Sequence, residues 1–237
     1  MMRRLSILFA ITLTGCVTVE STQNPGSSAS PKERAEARIE LGIGYLNQGN
    51  MVKARENLEK ALTHYPGYYR AQLSMAHYFE KVGEKDAATE IYETALKQHP
   101  QNGNVLNNYG TFLCKHGNYE RADKFFNKAI DQPYYYLTSA SYENAAFCAL
   151  KSGDTAQAKT YFMRTLDHDP HRARALLHLA KLEIEDGDFV KARIRLMKFH
   201  QRYGVQKTSL ELLAELEAKA GNEALEEKYR QKIKQMS

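Results

Sequence analysis

Six glycines, Gly49, Gly83, Gly117, Gly153, Gly187 and Gly221, stand 34, 34, 36, 34 and 34 residues apart, and each precedes a polar residue: Asn50, Glu84, Asn118, Asp154, Asp188 and Asn222. Glycine ends a helix by turning left-handed, and the polar residue after it can cap the next helix. The spacing therefore predicts six helix–turn–helix units. With each glycine placed at position 15 of its unit, other columns stay in phase. Position 8 is small throughout (Gly42, Ala76, Gly110, Ala146, Ala180, Ala214), and position 20 is alanine in five units (Ala54, Ala88, Ala122, Ala158, Ala192) and Glu226 in the sixth. Position 24 is large (Leu58, Tyr92, Phe126, Phe162, Leu196), which suits a side chain filling the gap left by small residues where two helices approach closely. Pro66, Pro100 and Pro170 at position 32 stop second helices before the next unit begins.

Small, large and proline positions on a 34-residue period resemble the tetratricopeptide repeat. The fold class expected is all-α, a right-handed superhelical stack of six tetratricopeptide (TPR) helix pairs in which no pair buries its apolar face alone. The units fall at about 35–68, 69–102, 103–136, 139–172, 173–206 and 207–237 of a domain spanning 31–237. Ser30, Pro31 and Glu33 form a helix-start signature of cap, proline at the first helical position and reciprocating acid. At the other end, Glu226 and Arg230 replace alanine and a large apolar residue, which predicts a polar capping helix. The 36-residue interval contains Pro133 and the aromatic residues Tyr134, Tyr135, Tyr136, Tyr142 and Phe147. These are expected to cover the repeat junction, with exposure toward a partner as the alternative.

The N-terminus reads differently. Arg3 and Arg4 precede an apolar run, Leu5 to Gly15, of about 11 residues, too short to span a membrane, which takes about 20. Leu13-Thr14-Gly15-Cys16 matches the bacterial lipobox, so residues 1–15 are expected to be a cleaved lipoprotein signal and Cys16 the lipidated first residue. Val17 and Thr18 follow in place of an aspartate, and resemblance to bacterial lipoproteins then implies sorting to the outer membrane. Residues 16–30 are rich in Ser, Thr, Pro and Gly and read as a flexible tether carrying the lipid. Several acyl chains would anchor it firmly, where one would not.

Little in the chain points to chemistry. Of the net charge of +5, Arg3 and Arg4 contribute two, and the remaining +3 is too weak a bias to suggest nucleic acid. A mean hydropathy of -0.58 excludes a polytopic membrane protein. No zinc-protease, nucleophile-elbow or phosphate-loop motif is present, and the densest histidine cluster, His168 and His171 with Asp167 and Asp169, occupies a repeat junction, so neither a metal nor a catalytic residue is expected. Repeats fill the mature chain and leave no room for an enzyme domain. Cys114 and Cys148 both fall on first helices of neighbouring units, where an oxidising compartment would allow a disulfide; two small buried thiols are the alternative. The concave face, at positions 2, 5, 9, 12 and 13 of the first helices, reads Glu36, Ile39, Ile43, Leu46 and Asn47, then Arg70, Leu73 and His77. Ile39, Ile43, Leu46, Leu73 and His77 are the candidate partner-binding groove, suited to an amphipathic helix or extended segment, unless the chain's own tether covers it.

The segments NNYGTFLCKHGNYERADKFFNKAIDQPYY (107–135) and ENAAFCALKSGD (143–154), together with the lipobox and all six repeats, resemble the type IV pilus biogenesis and stability lipoproteins, the PilF/PilW pilotins. The resemblance implies a non-enzymatic, monomeric lipoprotein of the outer membrane, facing the periplasm. It would bind the pilus secretin and promote its localisation and multimerisation, with no cofactor beyond the lipid on Cys16. The alternative is another TPR envelope adaptor, for peptidoglycan-hydrolase recruitment or β-barrel assembly.

Overall fold

The computed structural model describes residues 29–236; the leader, Cys16 and the tether as far as residue 28 lie outside the described residues. Twelve helices and no strand are found among the described residues: α1 (Pro31–Asn47), α2 (Met51–His64), α3 (Tyr69–Val82), α4 (Lys85–Gln98), α5 (Gly103–Lys115), α6 (Tyr119–Ile130), α7 (Thr138–Ser152), α8 (Thr155–His168), α9 (Ala173–Glu185), α10 (Phe189–Tyr203), α11 (Lys207–Lys219) and α12 (Glu223–Gln235). None of these helices is long and apolar enough to cross a membrane. The chain forms a superhelical stack of six TPR pairs. First helices of successive units touch, α1 with α3, α3 with α5, α5 with α7 and α9 with α11, while no second helix packs comparably on another. First helices therefore line the inner, concave side of the superhelix and second helices its convex side.

The register glycines set the turns. All six have positive φ, from 76° at Gly221 to 86° at Gly153, the left-handed conformation that residues with a Cβ disfavour. The polar residues after them cap less uniformly than the sequence suggests. Asn50 and Asp154 accept from the backbone N–H of Lys53 and Gln157, whereas Glu84, Asn118, Asp188 and Asn222 make no side-chain cap bond. The chain enters α1 through a full capping box: Ser30 Oγ accepts from Glu33 N at 3.2 Å and Glu33 Oε2 accepts from Ser30 N at 2.7 Å.

The small and large columns meet inside each pair. Ala54, Ala88, Ala122, Ala158 and Ala192 are fully buried, and Leu58, Tyr92, Phe126, Phe162 and Leu196 are at most 3% exposed. A Cβ added at Gly42 would lie 2.7 Å from Leu58 Cγ, and one at Gly110 would lie 3.0 Å from the Phe126 ring. Burying each large side chain contributes about 1.5–3 kcal/mol relative to exposure, which these contacts collect along the whole stack. Cys114 and Cys148, both buried, are joined as a disulfide between α5 and α7, with Cα atoms 5.8 Å apart.

Two features depart from a uniform repeat. At the longer interval Tyr134 takes a positive φ of 62° and is fully exposed. That turn drives the Tyr135 ring into the space above Gly103, where a Cβ would collide with it. Tyr135 is held there by a 3.0 Å hydrogen bond to Ser141 Oγ. Tyr135 and Tyr142 cover the junction, while Tyr134 and Tyr136 project from it. In the last two units, position 11 of the first helix carries a buried acid. Glu183 accepts from Arg195 Nε and Nη2 at 2.9 and 2.6 Å, and Glu217 accepts from Arg193 Nε and Nη2 at 2.9 and 2.8 Å and from Asn222 at 2.7 Å. Buried carboxylates persist because each has a forked guanidinium opposite. The stack closes on α12, which has no buried residue; Tyr229 and Ile233 rest on the core, and Glu226 pairs with Arg230 at 2.7 Å.

Candidate functional site

The inner faces of α1, α3 and α5 enclose an open groove of about 590 Å³. Ile39 and Ile43 form one wall and Leu73 the floor beside them, with Tyr69, Ser74 and His77 continuing along α3. Asn104 and Asn108, four residues apart on α5, make the far wall, and the ring of Tyr136 reaches in from the junction. The apolar residues are there because α1 and α3 have more than one apolar stripe: Ala35, Ala71 and Ile39 pack inward with Tyr68, while Ile43 and Leu73 stay half-buried at the groove.

Of the five residues expected at the groove, Ile39, Ile43, Leu73 and His77 line it. Leu46 does not, which corrects its placement on the concave face. It is 5% exposed and belongs to a cluster with Ala54, Leu58, Met75 and Tyr78 that Met51 and Val82 flank, because position 12 is buried here, as it is at Cys114 and Ile184 in other first helices. Asn104, Asn108 and Tyr69 escaped the sequence reading, and Tyr136 entered it only as a junction tyrosine with partner exposure as the alternative. The two asparagines were findable from their four-residue spacing on one helix face, whereas Tyr136 arrives only through the turn at Tyr134.

The electrostatics of the groove are nearly balanced. Arg70 pairs with Glu36, which also accepts from the Tyr68 hydroxyl. Glu80 pairs with Lys115 at 3.0 Å and accepts from Tyr92 Oη at 2.8 Å. Although His77 keeps an exposed edge, desolvation against α3 lowers its pKa, and Lys81 and Lys115 add to this against the pull of Glu80. Asn108 Nδ2 donates to the Asn104 carbonyl oxygen at 2.8 Å, which leaves its Oδ1 and the Asn104 carboxamide facing the groove. An apolar strip beside these groups suits a peptide segment: half-buried Ile43 and Leu73 accept its apolar side chains over a base of buried Ile39, and the Asn104 carboxamide can donate to and accept from its backbone.

Among the described residues no three His, Cys, Asp or Glu side chains gather as a metal site would require. In the 167–171 junction, Asp167 faces Arg164 at 3.8 Å, Asp169 faces Arg172 at 3.2 Å, and His168 stacks on Tyr142 with ring centres 5.4 Å apart.

Comparison with known proteins agrees with this architecture. Tetratricopeptide repeat family models match residues 36–68, 91–124 and 149–198. The chain is 35% identical to the type IV pilus assembly protein PilF of Pseudomonas aeruginosa over 207 residues, 87% of this chain and 82% of that protein. It is 34% identical to an uncharacterized Haemophilus influenzae protein over 162 residues, 68% of this chain and 86% of that one. Among solved structures, P. aeruginosa PilF superposes with a TM-score of 0.75 at 32% identity, covering 87% of this chain and 93% of its own. The structure of PilW, a widely conserved type IV pilus biogenesis factor, superposes with a TM-score of 0.72 at 26% identity, covering 84% and 91%.

Proposed function

The chain belongs to the PilF/PilW family of tetratricopeptide proteins of type IV pilus biogenesis, and from that premise we propose that it is a pilotin: a non-enzymatic adaptor that binds the pilus secretin and promotes its assembly at the outer membrane. The observation that carries this reading is the groove itself, an open apolar strip of Ile39, Ile43 and Leu73 bordered by Asn104 and Asn108. A stretch of secretin subunit would lie along it, held by surface complementarity and backbone hydrogen bonds. A lipid on Cys16 would fix the stack at the membrane, and residues 17–30 would let it search. Confining bound subunits to one surface raises their effective concentration and so favours ring assembly without any bond being made.

The test is capture of the purified secretin periplasmic region by variants of the chain. Ile43→Asp with Leu73→Asp, two half-buried positions, is expected to abolish capture while leaving the helical circular dichroism signal unchanged. Leu46→Ala is the control for general damage: it opens a core cavity costing about 2–5 kcal/mol, so it lowers stability while the folded fraction still captures secretin. Undiminished capture by the double variant would refute the groove as the docking site. In cells, loss of the protein is expected to leave secretin as monomers, and normal detergent-resistant rings would refute the pilotin role.

A further inference from the structure

The convex face at the C-terminal end of the stack has a composition found on no other second helix. The 15-residue α10 carries Lys191, Arg193, Arg195, Lys198 and Arg202 and no Asp or Glu. Its inner side, Ala192, Leu196 and Phe199, is core. Arg193 and Arg195 turn toward Glu217 and Glu183. What remains outward is an apolar stripe at helical spacing, Val190, Ile194 and Met197, 67%, 51% and 62% exposed, alternating with Lys191, Lys198 and Arg202. By contrast, α2 and α6 neutralise their outer faces with pairs such as Arg55–Glu59 and Lys124–Glu120.

The stripe extends to its neighbours. Met163 and Arg164 of α8 border the same depression of about 700 Å³ as Lys198. On the other side Lys232 of α12 stands near enough to His200 to help lower its pKa, behind the larger effect of burial. The last nine residues of the described α12 region, from Lys228 to Met236, hold four cations and no acid. Local acids answer some of this charge: Asp188 pairs with Lys191 and Asp167 with Arg164. Among the described residues, Lys198, Arg202, Lys228 and Lys232 have no carboxylate within ion-pair distance.

We propose that this face, centred on Ile194, Met197, Lys198, Arg202 and Lys232, rests on an anionic phospholipid bilayer. Charge complementarity favours that occupant, and shape agrees with it. The outward stripe of Val190, Ile194 and Met197 runs along one convex helix with cations on its flanks, and a bilayer meets both at once, offering many equivalent phosphates to long, mobile cations and an apolar boundary to Met and Ile. Such contact would add a second membrane signal to an acyl anchor and turn the concave side, with its groove, away from the membrane. The proposal does not depend on what occupies that groove.

Vesicle co-sedimentation tests it with the chain from Val17 onward, which carries no acyl group and keeps all twelve described helices. Binding is expected to phosphatidylethanolamine–phosphatidylglycerol vesicles and not to phosphatidylcholine vesicles, and raising salt from about 0.1 M to about 1 M should release it, as the screening length shrinks from about 10 Å to about 3 Å. Lys198→Gln, Arg202→Gln and Lys232→Gln together break no ion pair and should weaken binding roughly a hundredfold. Equal partition onto anionic and neutral vesicles, or an unweakened triple variant, would overturn the proposal. So would unchanged vesicle binding by a triple variant that no longer captures a purified pilus protein, since the face would then be a protein dock.

Discussion

Two glycines two residues apart in α1 should respond in opposite ways to the same substitution. Gly44 has open space where a Cβ would go, with nothing within 4 Å. Gly44→Ala there gains helix propensity alone, about 0.5–1 kcal/mol. At Gly42 the same propensity gain is available, but the new Cβ would sit 2.7 Å from both Cγ and Cδ2 of Leu58 and 3.3 Å from the Ala54 carbonyl oxygen. Carbon atoms rest at about 3.5–4.0 Å, so α1 and α2 must separate by roughly 1 Å or Leu58, which is fully buried, must leave its rotamer. Overpacking of this kind costs about 1–3 kcal/mol. The steric cost outweighs the propensity gain, and Gly42→Ala should destabilise by about 1 kcal/mol while Gly44→Ala stabilises. Urea unfolding followed by circular dichroism measures both, and the double variant Gly42→Ala, Leu58→Ala isolates the clash. Its destabilisation should fall short of the sum of the two singles, because truncating Leu58 removes the colliding atoms. If Gly42→Ala stabilises as much as Gly44→Ala, or if the double variant is additive, the small-against-large column is not where the helices make their closest approach.

Reduction of the Cys114–Cys148 disulfide, which closes a 34-residue separation, should lower stability by about 4 kcal/mol in the chain-entropy picture, read as a fall in urea midpoint. An unchanged midpoint, or two free thiols in unreduced denatured protein, would count against it. Acid should also destabilise the stack. Burial, assisted by Arg174 and Lys181, lowers the pKa of His178, and burial with Lys232 lowers that of His200. In both cases the unfolded chain binds the proton more readily, so stability is lost as pH falls through the unfolded value of about 6.5 and below. A melting temperature that holds or rises between about pH 7 and about pH 5 would refute this assignment.

Much of this molecule can be read from its sequence because the repeat ties each column to one local need. A turn glycine needs positive φ, a close approach needs Gly42 or Gly110, and a gap needs Leu58 or Phe126. Hydrophobicity along the strip Ile39, Ile43, Leu73 was legible for the same reason. Leu46 was misplaced because position 12 is buried against neighbouring helices here, as it is at Cys114 and Ile184, and does not face the groove. Glu183 and Glu217 look like surface residues by type, although position 11 is Tyr45, Phe79, Leu113 and Ala149 in the first four units. Only packing shows that Arg195 and Arg193 reach across to satisfy them. The fate of the junction tyrosines was equally hidden, because the hole that receives Tyr135 is made by Gly103 in another helix.

The disulfide lies at the midpoint of the stack, between the third and fourth units. In a linear array each unit is held chiefly by its neighbours, so melting begins at a terminus and advances inward as a front. A covalent weld at the centre stops both fronts. The first three units, which carry the groove, can then fray and reclose as a block of their own while the C-terminal three stay ordered, and a partner seated in the groove would be registered as a halted front at the N-terminal end, visible in amide exchange as protection confined to α1 through α6.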